Sequence, residues 1–237
     1  VALVLYLLHA LLAGVAYFSW ITYDYYHNRD RQITATHTAQ GNPYVFNPYS
    51  VVENGHKIGY YICYPELQSA WAVRSKVPYS DPLESTLIRY LNSKGLHKDY
   101  AGVMSLTTAD VHNVEQSIAN YEYTKPFGLR RAFYPTFFTI SLYRQYRCIE
   151  HASLLERVEL WRASWGAVQN NWVLGVGIGD QKAAVDHQLM VQQSPIAYKH
   201  NRGCHNQFLT FWLMGGIFLV LYFIFVLVYP FFALKNK

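Results

Sequence analysis

Hydrophobic residues gather at the two ends of this chain. Val1–Tyr23 holds no charged side chain when His9 is neutral, and Phe208–Leu234 is a run of 27 residues whose ionisable groups are Tyr222 and Tyr229 alone. A bilayer core about 30 Å thick is crossed by about 20 helical residues, each rising about 1.5 Å. Both runs reach that length, and neither has the one-sided stripe of a helix lying on a soluble core. Membrane-spanning helices are therefore expected over 1–23 and 205–234. The first run lacks the basic leader and small-residue cleavage site of a secretory signal. A chain that opens inside such a helix reads as a piece of a longer membrane protein.

The stretch between the two runs is patterned differently. Residues 24–50 are polar and aromatic, with Gly41, Pro43 and Pro48, and read as irregular connection. Lys57–Tyr64 (KIGYYICY) suits one short strand or a buried extended piece. After Pro65 the spacing turns helical, and helices are predicted near 66–76, 83–94, 109–121, 154–170 and 180–192. Asp81-Pro82 opens the second; Leu83, Leu87, Ile88 and Leu91 line its face, and Gly95 ends it. Thr108 is the expected cap of the third, above a stripe of Val111, Val114 and Ile118. In the fourth, Ser153-Leu-Leu-Glu156 has the form of a capping box. Leu154, Val158, Trp161, Trp165 and Val168 form its expected core stripe, flanked by Arg157 and Arg162. Asp180 caps the fifth and Pro195 stops it. The fold class is an all-α integral membrane protein fragment: two transmembrane helices flank a large, mainly helical loop domain over 24–204, with a short tail at 235–237.

Composition agrees with that reading. Hydrophobic residues make up 51% and charged residues 15%, against roughly 25% charged in an ordinary soluble domain, which excludes disorder. Lys235 and Lys237 follow the last run and put the tail in the cytoplasm, with the loop domain outside. Arg29 and Arg31 argue the other way, but long translocated segments escape that rule. This puts residues 24–204 on the outer side of the membrane. The loop domain carries 18 Lys+Arg and 15 Asp+Glu, a net of 18 − 15 = +3, with no basic cluster. The bilayer is an expected partner and nucleic acid is not. Cys63, Cys148 and Cys204 form no C-x-x-C, which removes zinc and thioredoxin readings; an oxidising compartment allows two of them to pair.

Two segments hold candidate chemistry. Gly175-Val-Gly-Ile-Gly179 lacks the preceding strand and βαβ setting of a dinucleotide fingerprint. It is a tight turn that lets another chain approach its backbone, and Gly175 and Gly177 could equally contact a ligand. His205 opens the last hydrophobic helix, in His-Asn-Gln-Phe-Leu. Free amides at a helix start disfavour a protonated imidazole, so His205 is expected to stay neutral and serve as a base or hydrogen-bond partner. Arg202 precedes it by three residues and Lys199 by six, and an arginine there suits phosphate. The bland alternatives are specific. Arg157 could pair with Glu150, Glu159 or Asp180; Trp161 and Trp165 suit core better than a sugar platform; Tyr60, Tyr61 and Tyr64 suit helix packing; His200 is a bystander, and Asn201 and Cys204 carry no role. Gly215-Gly216 would allow close helix packing.

The order of these segments resembles a known family. Arg157 precedes Trp161 by four residues in a helix, Asn171-Trp-Val-Leu-Gly-Val-Gly-Ile-Gly179 follows, and His205-Asn-Gln-Phe-Leu comes next, with Gly216 eleven residues after the histidine. This resembles the C-terminal signature of the O-antigen ligase and polymerase family of bacterial envelope glycosyltransferases, over roughly 153–230. Gly55–Arg147, with Ser85-Thr-Leu-Ile-Arg-Tyr-Leu and Lys94-Gly-Leu, is similar to the loop of Bacteroidetes relatives. The resemblance implies a GT-C-like architecture and metal-independent transfer of a glycan from a polyprenyl-diphosphate carrier, with no cofactor. The acceptor would be a hydroxyl of lipid A core, a growing glycan or protein at the periplasmic face. It implies catalytic roles for His205 and Arg157 and a structural role for Gly216. Arg202 at the diphosphate and Asn206 fixing an imidazole or substrate rotamer follow from location alone. A further family arginine belongs to an earlier loop outside this chain. The rival reading is a two-span membrane sensor or ligand-binding receptor, which predicts a cytoplasmic signalling domain after Lys237.

Overall fold

The computed structural model describes residues 2–149, 152–199 and 202–235. Helix accounts for 61% of it and strand for 4%, so the chain is mainly helical. Two helices are long and apolar enough to cross a membrane: α1 (Ala2–Tyr26) and α9 (Gln207–Lys235). The chain forms two compact units, Val1–Ser141 and Leu142–Lys237.

In the first unit α1 exposes nearly its whole length and buries only Ile21 and Tyr25. Tyr25 meets Tyr134 and Phe137 at ring distances of 4.8 and 5.3 Å. Those two rings belong to α6 (Leu129–Tyr146), a helix the sequence reading omits. The expected strand is much shorter than KIGYYICY. It is the hairpin β1 (Val52–Glu53) and β2 (His56–Lys57); the chain then turns through Ile58–Tyr61, with Tyr61 at φ 56°, Ile62 makes isolated bridges to Val45 and Lys98, and Tyr64 already belongs to the next helix. Asn54 and Gly55 at its tip have φ of 54° and 82°, the backbone a two-residue hairpin turn requires.

α2 (Tyr64–Arg74), α3 (Asp81–Ser93), α4 (Tyr100–Met104) and α5 (Thr108–Glu115) close a core around Leu67, Trp71, Leu87, Leu91 and Val114. α3 buries the face predicted for it, and Gly95 (φ 68°) turns the chain after it. α5 stops at Glu115, short of the expected 121, and a separate 3-10 turn covers Tyr121–Thr124. Its cap is Thr107 rather than Thr108, in a capping box closed by Asp110.

Asp110 is a structural hub. Burial alone would raise its carboxyl, but hydrogen bonds from Lys94 Nζ (2.6 Å), Tyr90 Oη (2.6 Å) and Thr107 outweigh that and hold it at about 2. A carboxyl lowered in the fold stabilises above its unfolded value of about 4 and loses that contribution as pH falls toward 2. Asp110→Asn should therefore cost on the order of 1–2 kcal/mol at pH 6 in thermal unfolding, and the gap to wild type should narrow steadily as pH falls from about 4 to about 2. A gap independent of pH would refute the ionic role.

The second unit contains α7 (Ser153–Asn170), α8 (Gln181–Val191) and α9. α7 corrects the sequence reading of its faces. Leu154, Val158, Trp161 and Trp165 are exposed, and of the expected stripe only Val168 is buried. The buried face is Leu155, Glu159, Leu160, Ala163, Ser164 and Ala167. Its alanines and serine let neighbouring backbones close on α7, where Val185 and Leu189 of α8 are also buried. Trp161 is thus a surface residue and not part of the core. The proposed caps also differ. Ser153 stands inside α7 with Ala152 at the cap position, and neither Ala152 nor Asp180 makes a side-chain cap bond. Glu156 pairs with Lys199 instead of closing a box.

Candidate functional site

α9 is not one continuous rod. Its helix breaks at Gly215 (φ −142°, ψ 20°) and Gly216 (φ 65°, ψ −159°). After the break, 217–235 is 235 − 217 + 1 = 19 helical residues, about 28 Å at 1.5 Å per residue and enough for a hydrocarbon core. Before it stands a short half-helix starting at Gln207.

The glycine-rich segment after α7 is laced into that break. Val176 N–H donates to the Leu213 carbonyl (2.6 Å), and Ile217 N–H to the Trp172 carbonyl (3.0 Å). Trp212 Nε1 donates to the same Trp172 oxygen (2.9 Å). Breaking a helix orphans backbone groups, and here the loop supplies partners for Leu213 and Ile217. The approach is too close for side chains. A Cβ on Gly216 would lie 1.9 Å from Val173 O, and one on Gly175 2.5 Å from Leu213 O. Gly175 therefore faces the backbone of α9. Gly177 (φ 97°) has nothing within 4 Å of its Cβ position and requires glycine for its backbone angle alone.

The residues ahead of α9 come next. His205 lies just outside the helix, with φ 48° and an exposed ring. The helix cap is Asn206, whose Oδ1 accepts from Phe208 N–H (3.0 Å) and Leu209 N–H (3.2 Å). That corrects its expected part: its side-chain oxygen is committed to α9 and does not orient the imidazole. Cys204 is buried with its thiol 2.9 Å from Thr210 Oγ1, and all three cysteines are free. Arg202 is exposed and lines a shallow depression with Gln181 and Lys182 of α8.

Arg157 is on the exposed side of α7 and has no hydrogen bond or ion pair among the described residues. Glu159, one of its proposed partners, is buried and accepts from Tyr143 Oη and from Ser194 Oγ (2.6 Å). Burial and this carboxylate push the Tyr143 phenol up. Glu150, His200, Asn201 and Lys237, named in the sequence reading, lie outside the described residues. Lys199, raised by its hydrogen bond to Glu156, ties the chain ahead of Arg202 to the first turn of α7. Among the described residues no three His, Cys, Asp or Glu side chains group as metal ligands.

Residues 129–224 match the family model for O-antigen ligase. The chain carries an O-antigen ligase domain. No curated protein and no solved structure matches it. The O-antigen ligase match starts at the first residue of α6 and ends in the second half of α9. It takes in every candidate residue: Arg157, Trp161, Gly175, Gly177, Arg202, His205, Asn206 and Gly216. The matched family is membrane-associated and of a glycosyltransferase-like ligase and polymerase class. Sequence reasoning missed the Glu159 hub and the lacing of loop to helix. The signal for the lacing was present, as glycine-rich Gly175–Gly179 and a Gly-Gly pair inside an apolar run.

Proposed function

We propose that the intact protein is a metal-independent glycosyltransferase. It moves a glycan from a polyprenyl-diphosphate carrier to an acceptor hydroxyl at the periplasmic membrane face, within a GT-C-like assembly of further membrane helices. The acceptor is lipid A core sugar, a growing glycan or a protein. The observation that carries the reading is the O-antigen ligase match across α6 to α9, whose helix break holds the glycine loop.

The geometry supports a meeting of Arg157 and His205. Trp165 and Trp212 are in edge contact at 5.7 Å. Further along both segments, Trp172 O meets Ile217 N–H. Both segments thus advance the same way between these contacts. Arg157 stands eight residues before Trp165 and His205 seven before Trp212, comparable distances back toward one end. The Lys199–Glu156 pair draws the chain before His205 to the turn that holds Arg157.

In the reaction, Arg157 and Arg202 hold the diphosphate. His205 takes the proton of the acceptor hydroxyl as its oxygen attacks the anomeric carbon. The bond from that carbon to the phosphate oxygen breaks with inversion, and the carrier diphosphate leaves with the electron pair. Charge builds on that leaving group, and fixed guanidinium donors stabilise it. Asn206 contributes by capping α9 and fixing the turn at His205. The test is transfer of a polyprenyl-linked glycan by the intact protein in membranes. Transfer should continue in excess chelator. Loss of transfer that added magnesium restores would refute the metal-free route, and no transfer to any of the three acceptor classes would refute the activity.

A further inference from the structure

The first unit holds a cleft that the transfer chemistry leaves unused. It measures about 400 Å³ and is walled by Tyr17 and Trp20 of α1, by Glu122 and Lys125, and by Arg130 and Arg131 in the first turn of α6. Its walls differ in kind. The α1 wall is aromatic and belongs to a helix apolar enough to cross a membrane. Tyr17 and Trp20 stack at 5.8 Å near its C-terminal end, the place where such rings sit at headgroup level.

The opposite wall is cationic. Arg130 lies over the Trp20 ring at 4.9 Å and pairs with Asp24 (3.0 Å) and Glu122 (3.7 Å). Lys125 pairs with Glu122 at 2.7 Å. Arg131 is exposed, donates to the Lys125 carbonyl at 2.7 Å, and has no ion pair among the described residues. Two of these cations share Asp24 and Glu122, Asp24 is further taken by Arg29, and Arg131 is left over. The first turn of α6 carries no acidic residue, and its own positive end adds to the excess. Phe127, in the loop between Lys125 and Gly128, is 88% exposed. An apolar ring held out beside cations next to a membrane span suits entry into a leaflet.

We propose that this cleft seats the headgroup of an anionic glycerophospholipid. Its phosphate rests on Arg131 and Lys125, its acyl chains run along the Tyr17–Trp20 side of α1, and Phe127 enters the same leaflet. Both features are needed: the cations select negative charge, and the aromatic wall selects a charge that carries a lipid tail.

The test is native mass spectrometry of the full chain in detergent, supplied with phosphatidylglycerol or phosphatidylcholine. Phosphatidylglycerol should be retained roughly tenfold better. Arg131→Glu should remove that preference, whereas Arg144→Glu, the same charge change at the far end of α6, should keep it. If Arg131→Glu does not fold, Arg131→Gln with unchanged helix content should lower the preference severalfold. Equal retention of the two lipids, or equal loss in the Arg144 variant, would overturn the site. Release of phosphatidylglycerol by millimolar inorganic phosphate would show that the cleft reads free phosphate and not a lipid.

Discussion

Gly216→Ala should unseat the glycine loop and abolish glycan transfer. The added methyl would lie 1.9 Å from Val173 O and 2.6 Å from Leu174 N, both backbone atoms that cannot swing aside. The φ of 65° also disfavours any side chain there. Relief requires the loop to move off, which breaks the Val176–Leu213 and Ile217–Trp172 hydrogen bonds. Two backbone hydrogen bonds at about 1 kcal/mol each and a penalty of at least about 1 kcal/mol for a side chain at a glycine-only backbone conformation give a cost on the order of 3 kcal/mol. Gly175→Ala meets Leu213 O at 2.5 Å and should behave alike. Gly177→Ala is the control. With open space around it, it should lose only about 1 kcal/mol and keep most activity. Thermal unfolding and transfer measured on all three variants check this. Equal behaviour of Gly216→Ala and Gly177→Ala would remove the docked loop from the account.

The same break shows where the sequence was readable and where it was not. The long apolar helices at the two ends were legible because apolar composition over 20 or more residues is a property of the whole segment and needs no partner. The Gly-Gly pair was read as a place of close packing. The sequence could not say that the approaching chain is residues 172–176, because the contact joins segments about 40 residues apart, and the only local signal is the absence of side chains. α7 was legible as a helix and misread as a surface. It has two apolar faces, one of Leu154, Val158, Trp161 and Trp165 and one of Leu155, Leu160, Ala163 and Ala167. Hydrophobicity ranks the tryptophan face higher. Packing chooses the small-residue face because neighbouring backbones can approach it. α6 was missed since Pro135 falls in its interior and its aromatic residues follow no clean stripe. The Asn54-Gly55 hairpin signal was present and overlooked beside the more conspicuous KIGYYICY.

For the candidate site, the sequence supplied residue types and order, and the structure redistributed their duties. Asn206 and His205 are neighbours with the same apparent claim to chemistry. Only the positions of two amide groups separate them: Asn206 Oδ1 is taken by the helix start, and the His205 ring is left exposed one residue earlier. Arg157 and Glu159 separate in the same way. Glu159 points to the buried side and is consumed by Tyr143 and Ser194, while Arg157 projects from the exposed side with no hydrogen-bond partner among the described residues.

His205→Ala should lower transfer by about 10²–10⁴-fold, the usual contribution of a general base. Insertion and folding should be unchanged, because the ring is exposed and the α9 cap is made by Asn206. Arg157→Ala should lower transfer by about 10²–10³-fold through lost stabilisation of the leaving diphosphate. Its fold should also survive, as no described partner depends on it. Arg157→Lys tells charge from geometry: lysine keeps the positive charge but not the planar fork, so it should restore activity only in part. If the two groups act in one transition state, the double variant should fall little below the worse single one. Transfer rates of membrane-inserted variants, compared at equal protein content, decide the matter. Wild-type rates from His205→Ala would remove the histidine from the chemistry. Full multiplicativity of the two losses would mean that Arg157 and His205 contribute independently, and the coupled unit proposed for them would have to be abandoned.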